Sequence, residues 1–362
     1  MKLSYFTHSA SVLILPLIII LSLEQLANTP NKHKNGFTRS WVARQPLSPL
    51  HTASTKESLV QIAGTSSTQI YFSCQNPRQI VAVPFDLSRE TTIAAPFPGS
   101  PYDLIGSSLH VDSPLIYLYL SNRSFVMTYN LSTKLLLGIK FKPPLFSKIT
   151  PFKFQGFIIR GFDSVRQKQF IQKISAQTGS ILQQVDLIPD QQDHGYSSDG
   201  IINFDSTQDA ILYVQKYQNR FFCMDTSLNL IYTGHTIDTT FTNPVKTKTF
   251  FNVNNLTKKQ EGSQQAATPI NIINKMSCTA LGHLFVLSIL EADNEENNKF
   301  LRNNIIDVYR IKNGHYVGSF YVPNIAREQI IGFTITNNLL IALYKTHIAT
   351  YQLNFQKNKF AS

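Results

Sequence analysis

The chain has 362 residues, a formal charge of +11 at pH 7 and 43% hydrophobic residues, among them 25 Phe and 15 Tyr. That length buries a sizeable core as one propeller or two ordinary domains, and the aromatic, β-branched composition argues against a helical domain. The cations are scattered, with no Arg-rich helix and no stacking-aromatic signature, so no nucleic-acid partner is expected.

The N-terminus comes first. Lys2 precedes an apolar run over 12–23, which fits the h-region of a signal peptide and falls short of a full membrane span. Residues 1–27 are therefore expected to be a signal peptide or an N-terminal membrane anchor. Such a segment predicts export or membrane anchoring. Lys32, Lys34, Arg39 and Arg44 follow the run and would lie near a membrane surface. Residues 28–49 are polar, contain Pro30, Pro46 and Pro49, and read as a linker.

From Ser58 onward one unit recurs: apolar strand, tight turn, second apolar strand, turn, third strand and usually a fourth. The second strands are clearest, in Gln69-Ile70-Tyr71-Phe72, Ile116-Tyr117-Leu118-Tyr119, Gly156-Phe157-Ile158-Ile159, Ile211-Leu212-Tyr213-Val214, Leu284-Phe285-Val286-Leu287 and Leu340-Ile341-Ala342-Leu343. Their spacing, mostly about 40–55 residues, is that of a propeller blade. The turns before the fourth strands are rich in residues that bond their own backbone or accept positive φ, as in Asp86-Leu87-Ser88, Asn130-Leu131-Ser132, Thr178-Gly179, Asp225-Thr226-Ser227 and Asn313-Gly314.

This predicts an all-β fold, a six-bladed β-propeller over 50–355, with a tail over 356–362. The sixth blade runs out after its third strand, which ends at Leu353. An unpaired outer edge invites pairing, so residues near Leu50 to Thr55 are expected to complete the blade. Two polar stretches, 252–265 and 291–304, interrupt the period; both are assigned to the fifth blade and expected to be solvated loops. Cys74, Cys223 and Cys278 form no CxxC pattern, and each lies in or beside an apolar strand, where a buried free thiol is the default.

In this layout the chain resembles the six-bladed TolB-like or NHL-like propeller superfamily. It is also similar to uncharacterised bacterial envelope propeller proteins in which an N-terminal apolar segment precedes an Asn-Gly-Phe-Thr-Arg stretch, here Asn35-Gly36-Phe37-Thr38-Arg39. The resemblance implies the fold and a location in the bacterial cell envelope, as a periplasmic, secreted or inner-membrane-anchored protein, and carries no catalytic residues.

No GxSxG, P-loop or HExxH is present, and the nine histidines do not pair at i, i+4. The first functional expectation is a non-enzymatic, membrane-tethered or exported module that binds or scaffolds a protein or small ligand, without a cofactor. The alternative is a propeller hydrolase or lyase holding Ca²⁺ in the central channel through Asp112, Asp199 and Asn203, since such a site needs acid or amide groups on inner strands. The binding candidates are His194, Tyr196 and Asp199, in a polar loop before the fourth inner strand. Arg160, in an otherwise apolar strand, and Lys275, next to the fifth inner strand, join them.

Overall fold

Strands covered on both faces bury nearly every side chain, as over 210–215, where all six residues are buried, and over 70–73 and 116–120. The computed structural model describes residues 34–42, 46–104, 106–142, 145–152, 156–163, 168–187, 198–241, 247–253, 260–266 and 271–354. Strand β1 (Leu47–Ser54) precedes the first blade, which is β2 (Leu59–Thr65), β3 (Gln69–Cys74), β4 (Gln79–Pro84) and β5 (Thr91–Ala94). Blade two is β6 (Ser108–Asp112), β7 (Leu115–Leu120), β8 (Phe125–Asn130) and β9 (Leu136–Lys140). Blade three is β10 (Phe146–Phe152), β11 (Gly156–Asp163), β12 (Lys168–Ser175) and β13 (Ile181–Val185). Blade four is β14 (Gly200–Asp205), β15 (Ala210–Gln215), β16 (Arg220–Met224) and β17 (Leu230–His235). A hairpin, β18 (Thr247–Val253) and β19 (Gln260–Ala266), comes next. Blade five is β20 (Asn274–Ala280), β21 (His283–Ser288), β22 (Asn303–Arg310) and β23 (Tyr316–Pro323), with a short helix α1 (Asn297–Arg302) inside it. Blade six is β24 (Gly332–Thr336), β25 (Leu339–Leu343) and β26 (His347–Leu353), with β1 as its outermost strand.

The fold is an all-β, six-bladed propeller with almost no helix. Its ring closes because β1 pairs antiparallel with β26, from Leu47 opposite Leu353 to Ser54 opposite His347. The strand therefore begins before the expected Leu50. The third-to-fourth strand turns work as their composition implies. Asp86 accepts the Ser88 N–H, Asn130 accepts from Ser132 and Thr133, and Asp225 accepts from Ser227 and Asn229.

Six apolar clusters sit between blades rather than within them. Phe72, Val83 and Ile341 join blades six and one; Ala82, Ile116 and Leu118 join one and two; Tyr119, Phe157 and Ile174 join two and three. Ile158, Ile171 and Tyr213 join three and four; Leu212, Phe221 and Tyr309 join four and five; Phe285, Ile306 and Ala342 join five and six. Each blade is thus half of two cores, which is why a missing closure would leave two faces exposed.

Two sequence expectations are corrected. The stretch 252–265 does not lengthen blade five: its described part belongs to the β18–β19 hairpin, which lies in the connection from β17 to β20 and pairs with itself. The stretch 291–304, expected as a solvated loop, is built around Arg39. Arg39 was grouped with the membrane-surface cations, yet its side chain is 0% exposed. Its guanidinium donates to both carboxylate oxygens of Asp307, to Glu295, to the Leu290 carbonyl and to Ser288 Oγ, and it stands over the Phe37 ring. Burial works against its charge, but Asp307 and Glu295 outweigh that and hold the guanidinium well above its ordinary pKa.

Asp293 accepts the N–H groups of Asn35 and Gly36, and Asn294 exchanges two hydrogen bonds with the Arg39 backbone. Ser40 and Val42 bond to the Ser319 backbone, and Trp41 stacks on Tyr321 at 4.3 Å. Over 34–42 the expected linker is therefore a strap on blade five. The physical reason is a matched pair of opposite charges about 250 residues apart, each unable to be buried alone.

Candidate functional site

In an antiparallel blade the connections into first strands and those from second to third strands leave at one end of the channel. Inner strands whose alternate residues pack outward leave the other set toward the channel. On β20, Met276 and Cys278 pack in the core between blades, while Lys275, Ser277 and Thr279 alternate with them. On β6, Leu109 and Val111 are core, leaving Ser108, His110 and Asp112. On these two strands the channel-facing set is consequently polar. Inner strands also bond across blade joints: Asn203 donates to Ser277 Oγ, Gln61 to the Leu109 carbonyl, and Lys275 Nζ to the Ile330 carbonyl at 2.9 Å.

The charged cluster lies where β10, β14 and β20 begin. Asp199, one residue before β14, has Oδ2 3.3 Å from Lys148 Nζ and 3.3 Å from Lys216 Nζ, and Oδ1 3.5 Å from Arg160. Lys148 is the third residue of β10, Arg160 lies opposite it on β11, and Lys216 follows β15. The Arg160 residue is 3% exposed and donates to Ser147 Oγ and Ser198 Oγ. The Ser198 carbonyl in turn accepts the Tyr213 hydroxyl at 2.6 Å, so the floor of the cluster is tied to the core of blade four. Burial opposes the charge of Asp199, but Lys148, Lys216 and Arg160 outweigh it and keep the carboxyl below its ordinary range. Burial lowers the Lys148 pKa; Asp199 opposes this and neighbouring Lys216 adds to it. Burial likewise lowers Lys275.

Of the binding candidates, Arg160 and Asp199 meet directly, whereas Lys275, the second residue of β20, donates to the Ile330 carbonyl. His194 and Tyr196 lie outside the described residues. The three candidate metal ligands are not brought together. Asp112 ends β6 whereas Asp199 precedes β14, placing them at opposite ends of their inner strands, and Asn203 is engaged with Ser277. Among the described residues no group of three His, Cys, Asp or Glu side chains is placed to hold a metal ion. Asp205, another acid at an inner-strand end, caps its own turn by accepting from Thr207 and Gln208.

Sequence reasoning missed Lys148 and Lys216. The available signal was positional: Lys148 lies near the start of one inner strand and Asp199 immediately before the next. All three cysteines are free, and burial pushes their thiols up.

No family model matches the chain, and no curated protein matches it. Among solved structures it is similar in shape to streptogramin B lyase, at 12% identity over 85% of this chain and 97% of that chain, with a TM-score of 0.46. It is also similar to BamB from Moraxella catarrhalis, at 8% identity over 90% of this chain and 96% of that one, TM-score 0.41. A chain of the nidogen/laminin complex aligns at 10% identity over 74% and 81%, TM-score 0.42. The likeness is one of overall shape. No helix among the described residues is long and apolar enough to cross a membrane, and the apolar run at 12–23 lies outside them.

Proposed function

We propose that the protein is a binding module of the bacterial envelope, exported or held at the membrane by residues 1–27, which engages a small ligand or protein at the Lys148–Asp199 end of its channel. One observation carries this reading: three cations, Lys148, Arg160 and Lys216, converge within 3.5 Å of Asp199. Charge withdrawn from water is costly to keep unless it serves packing or recognition, and among the described residues Lys148, Lys216 and Asp199 all retain partial exposure.

The test is photo-crosslinking in cells with the full chain. A crosslinker at exposed Glu57, just before inner strand β2, is expected to capture a ligand or partner. One at Gln208, in the β14–β15 turn at the other end, is expected to capture none. Capture from Gln208 alone would overturn the assignment of this end of the channel.

A further inference from the structure

The kind of ligand follows from how Asp199 is held. Two ammonium groups, Lys148 and Lys216, reach the same carboxylate oxygen, each at 3.3 Å, and the Arg160 contact on the other oxygen is 3.5 Å. Charge-assisted N–H···O contacts normally close to about 2.7–2.9 Å. Asp199 thus sits between its lysines without closing fully on either. An ammonium has three donors, and two of them share one acceptor oxygen here. Burial is the main reason the Lys148 pKa is lowered, with the neighbouring Lys216 charge adding to it.

We propose that this cluster is an oxyanion-binding site, taking a phosphate or carboxylate group of a small solute between Lys148 and Lys216, with Asp199 as the internal anion that holds the lysines in place and competes with the ligand. This rests on the binding role proposed above. Arg160 is the floor: its side chain is 4% exposed and it donates to Ser147 and Ser198. The lysines, at 32% and 22% side-chain exposure, are the groups a solute can reach.

The experiment is calorimetric titration of the full chain with inorganic phosphate and, separately, with succinate, against sodium chloride at equal ionic strength. Binding of at least one of the two is expected in the wild type. Lys216→Met is expected to weaken it about tenfold or more. Asp199→Asn, which removes the competing charge, is expected to tighten it about tenfold, equivalent to about 1.4 kcal/mol. Succinate alone binding would mark a carboxylate ligand and phosphate alone a phosphate ligand; either supports the site. Equal affinity in wild type and both variants, or no binding of either anion by Asp199→Asn, would overturn it. In that last case a crosslink from Glu57 would leave the binding role standing with a different ligand class, whereas loss of both would remove the role as well.

Discussion

At the residue scale the channel wall makes a pH prediction. His110 lies on β6 beside Tyr117, ring centroids 6.2 Å apart, and burial lowers its pKa from 6.5 to about 4. The folded protein therefore keeps it neutral where the unfolded chain takes up a proton. Stability contributed by the neutral ring is fully present above about 6.5 and is lost as the pH falls toward about 4. Burial raises the Asp112 pKa, and that carboxyl acts in the opposite sense because the fold then binds the extra proton. The His110→Gln variant separates the two. Its denaturation midpoint is expected to lose the wild type's decline between pH 6.5 and 4, measured by denaturant titration at a series of pH values. An unchanged slope would show that His110 does not carry it.

At the element scale two N-terminal pieces do different work, and truncations tell them apart. A chain starting at Lys34 keeps both the strap and β1 and is expected to fold like the full protein. One starting at Pro46 keeps ring closure but deletes Arg39, leaving Asp307 and Glu295 buried without their cation. Breaking such a pair costs about 3–5 kcal/mol, read as a lower denaturation midpoint. The sequence alone suggested that a start near Pro46 would be harmless; the buried guanidinium reverses that expectation. One starting at Ser58 also loses β1, exposing the β26 edge and removing Leu47 from the core between blades five and six. That protein is expected to aggregate. In the full chain, Arg39→Met should reproduce the Pro46 truncation and shift the emission of Trp41, the single tryptophan, as it leaves Tyr321. Unshifted emission would mean the strap is held without its arginine.

Across the whole molecule, the six inter-blade cores make the ring one cooperative body, while β18 and β19, in the connection between blades four and five, form a two-stranded sheet of their own. A two-stranded hairpin pairing only with itself is marginal in water. A circular permutant with new ends between β18 and β19, and residue 354 joined to residue 46 after removal of 1–45, tests this. With the strap segment supplied at the new N-terminus, at the cost of its covalent link to β1, it is not expected to recover; without the strap, its midpoint is expected to match the Pro46 truncation. A further loss of more than about 2 kcal/mol relative to that truncation would show that the hairpin supports the ring. Closure tolerates the cut because β1 and β26 are held by their own ladder, and a joined loop changes the closure entropy only weakly with length.

Local chemistry made the blades legible. A strand with both faces covered must be apolar throughout, as β15 is with every residue buried. A tight turn must carry residues such as Asp86, Asn130 or Asp225 that satisfy their own backbone. These constraints act within a few residues, so the sequence by itself determined the six-bladed ring and the need for an outside strand on β26. Arg160, Asp199 and Lys275 were noticeable as polar residues beside apolar strands. That Lys148 and Lys216 converge on Asp199, that Asp112 stands at the far end, and that Arg39 belongs to Asp307 and Glu295 were decided only by the tertiary structure. Charge pairing is set by distance in space and by withdrawal from water, and neither quantity is encoded in the spacing of residues along the chain.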